Sequence, residues 1–103
     1  MITLDTYPIP SPNVVGRIIK SIPGGGEEAV IVLPMAGQVK VVNEIGSKIW
    51  ALADGTRTVR EIAALICEKY EVELETVQID TLEFIQQLNA RGILELSGSP
   101  KGV

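Results

Sequence analysis

Few residues in this sequence could carry out chemistry. Its 103 residues include no histidine and one cysteine, Cys67. These counts exclude Ser-His-Asp and Cys-His catalysis, and they exclude metal sites built from histidine or clustered cysteine. The run Gly24-Gly25-Gly26 lacks the Lys-Ser/Thr pair of a phosphate-binding loop and is typical of a turn. We therefore expect a protein that is not an enzyme and that uses no cofactor and no metal.

The charge of the chain is acidic and unevenly distributed. Nine basic and thirteen acidic residues give a net charge of −4, and residues 44–103 carry all of this excess. A DNA-recognition helix needs Lys or Arg for phosphates and base edges, whereas the segment 74–91 sets Arg91 against three carboxylates. No apolar run is long enough to cross a membrane, and a single cysteine suits a reducing compartment. We therefore expect a cytoplasmic protein without nucleic-acid or membrane partners.

The first part of the chain predicts β-structure after a proline-rich start. Three prolines, at positions 8, 10 and 12, favour an extended arm over residues 1–12. Apolar, β-branched runs then predict three strands, over 14–19, 29–33 and 38–42. The short connections between these strands predict an antiparallel meander.

The hydrophobic period changes after residue 43. Apolar residues at helical spacing predict three helices, over about 45–52, 59–70 and 74–91. Thr58 and Glu61 form a capping-box pattern before the second helix, and Gly92 ends the third. The order βββααα predicts an α+β fold of the winged helix-turn-helix type. We assign residues 13–96 to the domain and residues 97–103 to a flexible tail, and the sequence leaves open whether residues 93–96 form a strand.

The third predicted strand is the first candidate for a binding surface. In a meander it lies at a sheet edge, where unpaired N–H and C=O groups could accept an extended peptide as an added strand. The residues expected to do so are Val39, Lys40, Val41 and Val42. The alternative is a protected edge, because Lys40 discourages pairing and residues 93–96 could cover the strand.

The third predicted helix is the second candidate. Between its core face and its charged face, a helical wheel places a sector too apolar for solvent and too polar for the core. The members of this sector that we predict to form the wall of a groove are Gln78, Ile79, Leu82 and Gln86. The alternative is a wide core face with scattered exposed apolar residues.

Several segments together resemble the PqqD-like family. The strand-closing Asn43 is followed by Ile49-Trp50, and then by Asp54-Gly55 and Thr58-Val59-Arg60-Glu61-Ile62. These residues match the family pattern of an asparagine, an Ile-Trp pair and Asp-Gly-x-x-Thr-Val-x-Glu-Ile. The residues that resemble the last helix of the family are Val77, Asp80, Phe84 and Leu88. Thr81 stands where the family often has an aliphatic residue.

The resemblance implies a recognition element for precursors of ribosomally synthesised and post-translationally modified peptides (RiPPs). Such domains are peptide chaperones that hold the leader of a precursor as an extra antiparallel strand on their third strand, in a cleft beside the third helix. They present the precursor to a separate maturation enzyme.

The resemblance leaves the pathway open. Lasso peptide biosynthesis implies a leader peptidase and a cyclase as partners, and we favour it because Tyr7-Pro8-Ile9-Pro10 resembles the Tyr-x-x-Pro element of lasso leaders. Pyrroloquinoline quinone synthesis, or another such system, implies a radical SAM enzyme instead. A different kind of function is also open, namely a structural module that dimerises when the same edge pairs with a second copy of the chain.

Overall fold

In the computed structural model, which describes residues 2–12, 14–19, 28–33, 38–42 and 44–102, most of the β-structure precedes three consecutive helices. The strands are β1 (Tyr7–Pro10), β2 (Val15–Ile19), β3 (Glu28–Leu33), β4 (Gln38–Val42) and β5 (Leu94–Ser97). The helices are α1 (Glu44–Leu52), α2 (Val59–Tyr70) and α3 (Leu74–Ala90). The predicted α+β fold of the winged helix-turn-helix type is confirmed. The turn predicted at 24–26 and the strand-closing residue 43 lie outside the described residues.

The larger sheet is an antiparallel meander in the order β2-β3-β4. Val15 lies opposite Val32, and Val30 lies opposite Val41. Helix α1 lies against β3 and β4, and its Trp50, only 9% exposed, packs on the backbone of Gly16 in β2. A Cβ at position 16 would lie 2.6 Å from the indole Cζ2, so this close approach of helix and strand requires glycine.

The hydrophobic core lies where the three helices meet β5. Its members on α2 and α3 recur every three or four residues, as a helix with one buried face demands. The largest fully buried apolar side chains are Ile62, Ile85, Leu88, Ile93 and Leu94. Helix α2 packs closely on α3, which gives the helix-turn-helix its rigid centre.

The two ends of the chain form a second, two-stranded sheet. Strand β1 pairs antiparallel with β5, with Tyr7 opposite Ser97 and Pro10 opposite Leu94. Residues 94–97 are therefore a strand, a point that the sequence left open. The segment expected as a flexible tail begins inside β5, and farther on the Lys101 N–H donates to the Gly55 carbonyl at 2.7 Å.

The N-terminal segment also contacts the turn between α1 and α2. The Gly55 N–H donates to the Pro8 carbonyl at 2.9 Å. At the start of α2, the Val59 and Arg60 N–H groups donate to the carbonyls of Thr6 and Leu4, at 3.0 and 2.9 Å. Amides in the first turn of a helix have no partner within the helix, so the N-terminal segment satisfies two of these donors.

The predicted capping box at the start of α2 is present. The Glu61 N–H donates to the Thr58 hydroxyl at 3.1 Å, and the Thr58 N–H donates to the Glu61 carboxylate at 2.9 Å. The hydrogen bonds from Thr58 to the carboxylate lower the pKa of Glu61 below its ordinary value of 4.5. Because the folded-state pKa is the lower one, this contribution to stability is complete above about pH 4.5 and is lost as the pH falls through the folded-state pKa.

We expect Thr58→Ala to lower the free energy of unfolding at neutral pH by about 1 kcal/mol, because the helix loses its N-cap. The difference from wild type should shrink at acidic pH, where Glu61 is protonated in both proteins. Urea denaturation at neutral and acidic pH measures this, with Thr58→Ser as the control that keeps the cap. A difference that stays constant down to pH values well below the lowered pKa would contradict the coupling between Thr58 and Glu61.

Candidate functional site

The outer edge of β4 is the first feature of the candidate site. All four residues predicted for strand addition lie on this strand, where Val39 faces Val32 and Val42 faces Ala29 across the ladder to β3. Within the described residues, β4 has no second strand neighbour. The segment that could have covered it, β5, pairs with β1 instead. The N–H and C=O groups on this side of β4 therefore form an edge that an extended chain could join.

The edge of β1 differs from that of β4 because prolines block it. The Pro8 carbonyl accepts from Gly55, so this residue directs its backbone groups away from β5. Pro10, two residues farther, directs its own backbone groups to the same side. Neither proline has an N–H to donate, so an added strand would find no donors there. The sequence 38–42 contains no proline, so the backbone of β4 keeps all its donors.

An apolar cavity of about 110 Å³ lies between the three helices. Most of its wall is aliphatic, with two threonines and one carboxylate on the α3 side. The lining residues are Ile45, Ile49, Ile66, Val72, Thr76, Val77, Asp80 and Thr81. We call this space the helix cavity.

The helix cavity is linked to β4 through helix α1, which supplies two of its lining residues, Ile45 and Ile49. Ile45 comes three residues after Val42, the last residue of β4, and α1 itself lies against β3 and β4. Two lining residues at the mouth remain substantially exposed, Ile45 at 43% and Val72 at 40%. The aliphatic lining of the cavity is therefore partly in contact with solvent at these two residues.

The four residues predicted as a groove wall lie on another face of α3. Gln78 and Leu82 are half-buried, whereas Ile79, at 58%, and Gln86 are exposed. None of the four lines the helix cavity. At 100° per residue, they point roughly 130–170° away from the mean direction of the α3 residues that do line it. The α3 wall of the helix cavity is therefore made of other side chains, and a peptide contact at the predicted wall stays a prediction.

The sequence reasoning did not single out the residues at the mouth of the cavity. Ile45 and Val72 stand in strongly polar surroundings, Ile45 after Glu44 and Val72 between two glutamates. An isolated aliphatic residue among charges is a weak sign of an exposed contact. Thr81 is 1% exposed and also lines the cavity. Its part in a cavity depends on α1, whose position the sequence pattern does not give.

The other described features do not indicate a catalytic or metal-binding site. A more polar cavity of about 350 Å³ lies between the C-terminal residues, β5 and Gly55. In the described part of the chain, no group of His, Cys, Asp or Glu side chains could hold a metal ion. The carboxyl of Asp54 has a lowered pKa because it accepts hydrogen bonds from Thr56 and pairs with Arg57, and this network shapes the turn between α1 and α2. No helix in the described ranges is long and apolar enough to span a bilayer.

The described residues form a winged helix-turn-helix in which β4 has one strand neighbour and an apolar cavity lies between the helices. Residues 28–94 match the profile of the family described as "Coenzyme PQQ synthesis protein D (PqqD)". The chain belongs to the PqqD family, and the resemblance predicted from the sequence is confirmed. This family consists of non-catalytic peptide-binding modules, which confirms the prediction that the protein is not an enzyme.

Two solved structures are similar to this chain. TbiB1, in complex with the TbiA(beta) leader peptide, is 29% identical, with a TM-score of 0.73 over 84% of this chain and 94% of that chain. The PqqD truncation of Methylobacterium extorquens PqqCD, a stand-alone RiPP recognition element solved by NMR, is 20% identical. Its TM-score is 0.67 over 85% of this chain and 87% of that chain, and at this identity the likeness concerns the fold. None of the curated proteins matches this chain significantly.

Proposed function

We propose that this protein binds the leader segment of a RiPP precursor and delivers the precursor to a separate maturation enzyme. In this proposal the leader adds as a strand to the edge formed by Val39, Lys40, Val41 and Val42, and it inserts an apolar side chain into the helix cavity. The observation that carries the proposal is the edge of β4, which has no second strand neighbour in the described part of the chain because β5 pairs with β1. The complex of TbiB1 with a leader peptide supports it.

Strand addition would supply affinity through the backbone. The backbone N–H and C=O groups of successive residues in an edge strand point alternately to the neighbouring strand and to the open side. Of the five residues of β4, two or three therefore direct these groups to an incoming chain. Each backbone hydrogen bond contributes about 1 kcal/mol net. These bonds do not depend on the side chains of the leader, so sequence selectivity must come from elsewhere.

The helix cavity would supply that selectivity. Burial of one apolar side chain contributes about 1.5–3 kcal/mol. An apolar cavity of about 150 Å³ accommodates benzene, so the 110 Å³ of the helix cavity suits one side chain. Thr81 lines this space, so we expect a longer aliphatic side chain at position 81 to reduce it.

We expect Thr81→Ile to weaken leader binding about tenfold, because the added carbon occupies space that a leader side chain would take. Thr81→Val is the matched control, since it has the shape of threonine and leaves the volume unchanged. Isothermal titration with a precursor leader, such as the TbiA(beta) leader, measures both. Unfolding curves of the two variants show whether the domain remains intact.

The same titration tests the groove wall predicted at Gln78, Ile79, Leu82 and Gln86. Ile79 is the best probe, because its high exposure makes Ile79→Asp harmless to the fold. If the leader lies on the cavity side, Ile79→Asp binds as the wild type does. Normal binding by Thr81→Ile together with lost binding by Ile79→Asp would move the site to the predicted wall.

For the maturation pathway we favour lasso peptide biosynthesis, with a leader peptidase and a cyclase as partners. The alternative is delivery to a radical SAM enzyme, as in pyrroloquinoline quinone synthesis. The Tyr7–Pro10 segment, whose pattern suggested the first pathway, is strand β1 and pairs with β5, so in this structure it does not occupy the edge of β4. Titration with the TbiA(beta) leader and with the precursor of pyrroloquinoline quinone separates the pathways, since the correct class should bind more tightly.

A homodimer through the same edge is the second candidate, because a free strand edge can pair with another copy of itself. Light scattering at binding concentrations distinguishes the two functions. A monomer that forms a one-to-one complex with the leader supports leader capture. A stable dimer that does not dissociate when the leader is added supports the alternative.

A further inference from the structure

We infer that the helix cavity selects leader segments in which an apolar side chain is accompanied by a neighbouring Lys or Arg. This inference rests on the proposed function and adds the chemical class of the leader that the site takes. Two observations carry it, namely the aliphatic wall of the cavity and the excess of carboxylates in and around that wall.

The aliphatic part of the site can hold only an apolar group. Ile49, Ile66 and Val77 line the cavity and are between 3% and 7% exposed. A charged group placed among them would lose its hydration without gaining a partner, which costs several kcal/mol. The body of the entering side chain must therefore be aliphatic or aromatic.

The polar part of the site is acidic. Asp80 lines the cavity and is exposed. The residues next to Ile45, Val72 and Thr76 in the chain add further exposed carboxylates, which are Glu44, Glu71, Glu73 and Glu75. Against these stand two lysines, which are Lys40 on the β4 edge and Lys48 on α1. Lys48 lies between Ile45 and Ile49, is half-buried and has an interaction of its own.

A cationic residue beside the apolar anchor satisfies both parts. Lys and Arg carry apolar stems that can pack along aliphatic surface while the charged end stays in water. The charged end of a leader Lys or Arg at the mouth of the cavity could pair with Asp80, and the surrounding carboxylates would attract it further. An acidic leader would meet like charges at the same place. The attraction is partly screened because Asp80 is exposed, so we expect it to set preference rather than most of the affinity.

Selection from a random library tests the inference without knowledge of the natural precursor. The immobilised full-length chain is exposed to a display library of random dodecapeptides, and the bound sequences are compared with the input. We expect enrichment of Lys or Arg within two positions of an aromatic or large aliphatic residue. The enrichment should diminish at high salt, since screening weakens exposed charge pairs.

The contribution of Asp80 is measured on a selected peptide by fluorescence anisotropy. Asp80→Asn should weaken binding about fivefold, and it should have no effect on a version of the peptide whose cations are replaced by Gln. The matched control is Glu95→Gln, which neutralises an exposed carboxylate on β5, outside the helix cavity. Thr81→Ile should lower the affinity for both peptides, because it acts on the apolar part of the site.

The outcomes separate this inference from the proposed function. Enriched peptides with an apolar anchor but with neutral or acidic neighbours overturn the inference and leave leader binding intact. An equal effect of Asp80→Asn and Glu95→Gln also overturns it, since the attraction would then be nonspecific. A library from which no peptide is enriched contradicts the proposed function itself.

Discussion

Removal of residues 2–12 is expected to lower the free energy of unfolding by about 4 kcal/mol or more, which is a large share of the stability of a small domain. Apart from the β1–β5 ladder, five backbone hydrogen bonds join this segment to other described residues, which are Val14, Gly55, Val59, Arg60 and Ile93. Its Ile2 and Leu4 pack against the core. The truncation would expose these surfaces and leave β5 without a partner.

Guanidinium denaturation and thermal melting measure the effect of the truncation, and we expect Tm to fall by roughly 15–30 °C. Asp5→Asn is the control within the same segment, because it removes only the exposed ion pair between Asp5 and Arg60. Such pairs contribute at most about 1 kcal/mol. If the truncated protein and Asp5→Asn melted at the same temperature, the segment would be an appendage and not a part of the fold.

Proline substitution at two neighbouring positions of β4 is expected to separate the stability of the sheet from peptide binding. Consecutive residues of an antiparallel strand direct their N–H groups to opposite sides. One of Lys40→Pro and Val41→Pro therefore removes a donor to β3, and the other removes a donor from the open edge. Edge strands accommodate proline on their open side, so the second variant should fold.

We expect the more stable of these two variants to bind the leader at least tenfold more weakly than wild type, because it lacks a backbone donor and its ring obstructs the incoming strand. The less stable variant should melt at a clearly lower temperature. Lys40→Thr and Val41→Thr are the controls, since they change the same side chains and keep both N–H groups. Wild-type affinity in the stable proline variant would falsify strand addition at β4.

The order and character of the elements could be predicted from local sequence. Thr58 and Glu61 form the capping box that their spacing indicates, and Gly92 takes the positive φ that ends α3. These features depend on hydrogen bonds and backbone angles within a few residues, so a short stretch of sequence contains all that determines them. The β4 edge was predicted for a similar reason, since a meander leaves its last strand at one side.

The wall of the cavity on α3 could not be predicted in the same way. A helical wheel distinguishes a core face on α3, and in the structure Thr81 and Ile85 are buried there. It does not tell which flank of that buried face meets α1 and the loop before α3. The wheel therefore favoured the sector of Ile79 and Leu82 by composition, whereas the cavity lies on the flank of Asp80.

The sequence by itself determined the fold class, the family and a strand edge without proline, because periodicity, caps and backbone donors are local properties of the chain. Only the tertiary structure decided that β5 pairs with β1 and not with β4, and that α1 and α3 enclose a cavity beside Asp80. Both outcomes depend on contacts between residues that lie far apart in sequence. Such contacts are fixed by how whole elements pack, and no local pattern records them.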